Sequence, residues 1–197
     1  MRITKLRPMN LANQITIFRI LLIPVFIGLV IYYGKSVQEG MADEALRHWA
    51  TGVFATAALS DALDGWIARR FNQKSRLGAI LDPLADKLLL LSALLSLSFT
   101  GWQPAFPIWF PLLIIFKDLA SIGAAFLINH LAGKCSIQAH WTGKVTTGAL
   151  IAAVLWSLLD IRFLPLIWPV LFTTLFAVWS GMIYIVDGIR QIKAAGH

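Results

Sequence analysis

Polar residues along this chain come in short clusters that separate six long apolar runs. The runs lie near Ile15–Tyr33, Trp49–Ala68, Leu77–Phe99, Ile108–Leu131, Gly143–Leu159 and Leu164–Val186. Each is close to the roughly 20 residues that a helix needs to cross a bilayer, and none shows the period-2 alternation of a half-buried strand. The pattern predicts an all-α integral membrane protein, a bundle of about six transmembrane helices forming one membrane domain over residues 1–197. Pro24, Pro83 and Pro169 fall inside or at the ends of these runs, where neighbouring helices satisfy the backbone groups that a proline frees. The first run is long and is followed by no small-residue cleavage pattern, so it reads as a span and not a leader. No internal repeat, low-complexity segment or soluble domain is visible.

Composition agrees. The 197 residues are 58% hydrophobic and 14% charged, with a mean hydropathy of +0.72; a soluble domain carries about 25% charged residues. Charge then sets orientation. Arg2, Lys5, Arg7, Arg69, Arg70, Lys74, Arg76, Lys134, Lys144, Arg190 and Lys193 fall on one side of the expected bundle, against Lys35, Arg47 and Arg162 on the other. Basic residues stay cytoplasmic, so both termini and the loop after Arg69 face inward. The net charge of +7 suits this topology and anionic headgroups, not nucleic acid, for which a soluble basic face is missing. The single Cys135 excludes an intrachain disulfide and suits a reducing cytoplasm. The opening MRITKLRPMNLANQ reads either as a short interfacial helix on the cytoplasmic leaflet or as a frayed terminus carrying positive-inside charge. Trp49, Trp102, Trp109, Trp156, Trp168 and Trp179 include several near expected outer ends, as an aromatic belt would.

Four acids break the second and third runs. Asp61, Asp64, Gly65 and Ala68 make one stripe of a helix, and Gly78, Asp82 and Asp86 make another at four-residue steps. A short connection makes the helices antiparallel neighbours, so the stripes can face each other roughly 8–15 Å below the cytoplasmic surface. An unpaired Asp at mid-helix costs about 2.5–3.5 kcal/mol, and crowded like charges need counter-charge. Arg69, Arg70 and Lys87 are too few. Oxygen-only, carboxylate-rich ligation fits Mg²⁺ or Mn²⁺; a packing salt-bridge network and a set of ion-transport or proton-relay carboxylates are the other readings.

The stretch resembles, gap for gap, the signature of the CDP-alcohol phosphatidyltransferase family, D-x2-D-G-x2-A-R-x8-G-x3-D-x3-D, through Asp61, Asp64, Gly65, Ala68, Arg69, Gly78, Asp82 and Asp86. The resemblance implies the same six-span layout, a homodimer, and transfer of a phosphatidyl group from a CDP-linked lipid such as CDP-diacylglycerol to an alcohol, with release of CMP. It implies that Asp61, Asp64 and Asp82 ligate two Mg²⁺ or Mn²⁺ ions, with Asp86 beside them as ligand and general base. Gly65 and Ala68 would leave room for the nucleotide, Arg69 would bind its phosphates, and Gly78 would allow close approach.

For the acceptor, Asn13, Thr16 and Arg19 resemble the opening of the glycerophosphate-accepting branch, the phosphatidylglycerophosphate synthases. A buried Arg19 needs an anionic partner, either an aspartate or a phosphate. Lys117-Asp118 stands where that branch usually has Arg-Glu, which keeps the signs and loses the bidentate fork. Gly143, Lys144 and Thr146 resemble its Gly-Lys-Thr region, and Lys134 and His140 lie on the same stretch. Arg19, Lys117, Lys134 and Lys144 are thus candidates for an acceptor phosphate. Glycerol 3-phosphate is the expected acceptor; phosphatidylglycerol, as in cardiolipin synthases of the same family, is second, and an inositol phosphate third. A Mg²⁺ or proton-coupled transporter is the reading from another class, disfavoured because the outer halves of the runs hold almost no acids. The expected location is a bacterial cytoplasmic membrane, with the site facing the cytoplasm.

Overall fold

Each of the six apolar runs lies on a helix in the computed structural model, which describes residues 11–71, 78–132 and 141–195; side chains are described within these except at 11–13, 61–71, 78–80, 82, 125–132 and 188–195. The helices are α1 (Leu11–Gln38), α2 (Glu44–Phe71), α3 (Gly78–Phe99), α4 (Trp109–Ala132), α5 (Trp141–Leu158) and α6 (Ile167–Ala195). The described residues contain no strand. Among them, Gln14–Gln38 and Ile167–Asp187 are long and apolar enough on their own to cross a bilayer. The N-terminal interfacial helix expected before α1 falls outside the described residues.

Helix ends do not coincide with the ends of the apolar runs, because local backbone chemistry, not hydropathy, stops them. At the end of α1, Met41 N–H donates to the Ser36 carbonyl at 2.9 Å and Gly40 N–H to Val37 at 3.1 Å. Gly40 sits at φ +79°, a left-handed closure that glycine takes without steric cost. Three residues later Asp43 caps α2, its Oδ1 accepting from Ala45 N–H at 3.0 Å. Ser36 joins the two ends: its hydroxyl donates to the Tyr33 carbonyl at 2.7 Å and accepts from Asp43 N–H at 3.0 Å. The α5 terminus closes the same way, with Ile161 N–H on the Trp156 carbonyl at 3.2 Å and Asp160 at φ +50°.

The chain divides into two compact units, with the boundary after Ser96 in the last turn of α3. In the first, α1 turns Thr16, Arg19, Phe26, Val30 and Tyr33 inward, and α2 turns in Arg47, Ala50, Phe54 and Ala57. The spacing is that of one helical face on each. Phe26 and Phe54 meet with ring centroids 5.7 Å apart, and the Arg47 guanidinium lies over the Tyr33 ring at 5.2 Å. Ala85, Leu89, Ala93, Leu94 and Ser96 are buried positions of α3. Phe54→Ala removes a ring with no exposed surface; we expect it to cost about 3–5 kcal/mol, read as a lowered melting temperature in detergent with the KM for substrate unchanged.

In the second unit α6 packs on both α4 and α5. Its connections are held by indoles and one hydroxyl. Trp102 is fully buried and donates to the Ser157 carbonyl at 3.4 Å, Ser157 Oγ donates to the Pro104 carbonyl at 2.7 Å, and Trp156 donates to Leu164 at 3.1 Å.

Candidate active site

The signature residues lie toward the C-terminal end of α2 and the N-terminal end of α3, two helices that are consecutive in the chain. Ala50, Phe54 and Ala57 are buried on α2, and continuing the same steps of three and four leads to Asp61, Asp64 and Ala68 in the last turns of that helix. On α3, Ala85, Leu89 and Ala93 are buried, and Gly78, Asp82 and Asp86 lie on the adjoining register of the first turns. The side chains of Asp61, Asp64, Ala68, Arg69 and Asp82, like the surroundings of Gly65 and Gly78, fall outside the described residues. Among those described, no three acidic, imidazole or thiol groups gather as a metal cage. The donor set itself suits a hard divalent cation: two pairs of carboxylates, three apart on α2 and four apart on α3, each on one helical face.

Asp86 is described, and its partner is Arg19. The guanidinium Nη1 donates to Asp86 Oδ1 at 2.5 Å, joining α1 to α3. The arginine side chain has no exposed surface, whereas that of Asp86 is 36% exposed. An aspartate is one of the two partners that the sequence allowed for Arg19. Thr16, one turn earlier on the same face, is equally buried.

The other acceptor candidates belong to the second unit. Lys117 pairs with Asp118 at 3.0 Å, and its stem passes 3.8 Å from where a Cβ on Gly181 would stand. It lines a groove of about 300 Å³ between α4 and α6, together with Phe116, Ala120, Ala177, Gly181 and Tyr184. Lys144 is exposed in the first turn of α5. Lys134 and His140 lie outside the described residues. Gly143 shows two neighbours that the sequence reading missed: a Cβ there would stand 3.7 Å from the Tyr184 hydroxyl and 3.8 Å from Ser180 Oγ. Their spacing on α6 is that of one face, but hydroxyls in an apolar run give no signal beyond helix packing.

Comparison with known proteins decides the family. The family model for CDP-alcohol phosphatidyltransferase matches residues 9–185, and so takes in both units. The chain belongs to the CDP-alcohol phosphatidyltransferase family. Like the other members it is a transferase of phospholipid synthesis, a family that uses divalent metals. A protein of Mycobacterium tuberculosis named probable phosphatidylglycerophosphate synthase is 34% identical over 191 residues, 93% of this chain and 83% of that protein. A CDP-diacylglycerol–glycerol-3-phosphate 3-phosphatidyltransferase of Blochmanniella floridana is 32% identical over 187 residues, covering 93% of this chain and 92% of its own length. A cardiolipin synthase (CMP-forming) of Streptomyces coelicolor is 31% identical over 200 residues, 95% of this chain and 86% of that protein.

Proposed function

We propose that the protein transfers the phosphatidyl group of CDP-diacylglycerol to glycerol 3-phosphate, giving phosphatidylglycerophosphate and CMP. The observation that carries this reading is the likeness to relatives named for that reaction over more than nine-tenths of this chain, with all eight signature residues in place.

The chemistry follows from the residues. The acceptor hydroxyl gives its proton to Asp86 as its oxygen bonds to phosphorus; the bond from phosphorus to the CMP oxygen breaks on the opposite side. Asp61, Asp64 and Asp82, with Asp86 beside them, would hold two Mg²⁺ or Mn²⁺ ions, which when bound supply charge neutralisation on the diphosphate and the leaving oxygen. Arg69 grips the donor phosphates from the end of α2 as a charge-assisted donor. Gly65, Ala68 and Gly78 leave room for the nucleotide. Lys117, Lys134 and Lys144 are the cations assigned to the phosphate of the acceptor.

The same reading places the chain in a bacterial cytoplasmic membrane as a six-span bundle and homodimer, with its site and termini on the cytoplasmic side. Two features support the bundle. Large apolar side chains stand on the outside, among them Leu21, Phe116 (74% exposed), Leu119, Leu175 and Met182, a surface that water would not tolerate. And α1 and α6 are each long enough to span the hydrocarbon layer. A donor whose acyl chains stay in lipid while its cytidine stands in water needs acids placed just under that interface.

The test is CMP release by the purified protein in detergent with CDP-diacylglycerol and Mg²⁺, adding acceptors singly. Release with glycerol 3-phosphate alone is the expected result. Release with phosphatidylglycerol instead would move the assignment to cardiolipin synthesis, the second reading, to which the Streptomyces relative lends weak support. Folded protein that releases no CMP with any alcohol would return the carboxylates to ion transport.

A further inference from the structure

Arg19 is the one charged side chain among the described residues with no exposed surface, and one of its contacts is the ion pair with the Asp86 carboxylate. Desolvating a guanidinium costs several kcal/mol, and a buried ion pair is often no more stabilising than well-packed apolar side chains of the same volume. Packing alone therefore gives α1 little reason to carry an arginine among Ile17, Ile20 and Leu21. A role as a phosphate contact fails on access: Arg19 is closed off, with Thr16 equally buried beside it, and the exposed member of the pair is Asp86.

We infer that Arg19 is a positioning residue: it fixes the orientation of the Asp86 carboxylate from behind while the acceptor meets that carboxylate from its exposed side. The inference rests on the proposed phosphatidyl transfer, in which Asp86 takes the acceptor proton. A planar guanidinium, with several donors in a rigid fork, holds a carboxylate in one orientation better than an ammonium does.

The test compares the full-length wild type with Arg19→Gln and Arg19→Lys in detergent, by CMP release with CDP-diacylglycerol and glycerol 3-phosphate, by CDP-diacylglycerol binding, and by melting temperature. The clamp predicts that Arg19→Gln loses about 10²-fold in kcat, the scale of a 1 Å misplacement, with the KM for glycerol 3-phosphate and donor binding near wild type. Arg19→Lys should recover part of kcat. A KM for glycerol 3-phosphate raised tenfold at near-normal kcat would overturn the clamp and restore the phosphate contact. If Arg19→Gln does not fold, Arg19→Lys decides: reduced kcat at an unchanged melting temperature supports positioning, and normal kcat at a lowered one reduces the residue to packing. Wild-type protein that releases no CMP would overturn the transfer reaction itself, and with it the premise of the clamp.

Discussion

Asp86→Asn is expected to abolish turnover, lowering CMP release by about 10²–10⁴-fold, the range that loss of a general base costs. Binding of CDP-diacylglycerol should survive. The substitution keeps the size of the side chain and a carbonyl oxygen that can still accept from Arg19, so the link between α1 and α3 persists. What disappears is the ability to take a proton from the acceptor hydroxyl. The decisive measurement is a single-turnover assay beside a donor-binding titration on the same preparation. Ordinary turnover by the variant would remove Asp86 from the proton's path, and donor binding lost together with turnover would give it a ligand-holding part instead.

Chelation gives the second large effect. Extraction of divalent ions should silence the enzyme completely, and added Mg²⁺ or Mn²⁺ should restore it. Asp61→Asn and Asp82→Asn should each raise the metal concentration needed for half-maximal activity by more than about 10²-fold, beyond the 10- to 100-fold that an outer-sphere partner typically costs. Mn²⁺ binding followed by electron spin resonance separates weakened metal affinity from slowed chemistry. If both variants bind Mn²⁺ as the wild type does, the carboxylates serve some purpose other than ligation.

Much of the helical architecture was legible in the hydropathy pattern, because long apolar runs bounded by polar clusters satisfy their own backbone groups most readily as helices. All six runs lie on helices. The ends did not follow. α1 continues through Lys35 and Ser36 to Gln38, and α6 runs past Val186 to Ala195, since polar residues prolong a helix without any apolar signature. The start of α2 could have been found in the sequence: Asp43 before Glu44 is a capping pattern, and Gly40 just ahead marks the close of α1.

Site legibility follows the same division between local and distant. The eight signature residues sit within 26 positions, so their spacing along two helices could be counted directly. Arg19 could be read only as a cation in need of an anion, because the residue answering it lies 67 positions away and nothing in the local sequence of α1 selects α3. Ser180 and Tyr184 beside Gly143 were invisible for that reason too, being brought there by the packing of α5 on α6.

The link between Arg19 and Asp86 also has a meaning in time. Ribosomes add about 5–20 residues per second, so the 67 residues between them take roughly 3–13 s to make. A first span delivered to the bilayer during synthesis thus carries its guanidinium before the carboxylate partner exists. A charge at mid-helix costs about 2.5–3.5 kcal/mol on insertion and less toward the helix end, where Arg19 stands, and the apolar stretch from Ile20 to Tyr33, interrupted only by Pro24 and Gly28, has to outweigh that cost. The hydrophobicity of α1 is in this sense a loan against a residue not yet translated, and a chain arrested before Asp86 emerges would hold its first helix at the membrane less firmly than the finished protein does.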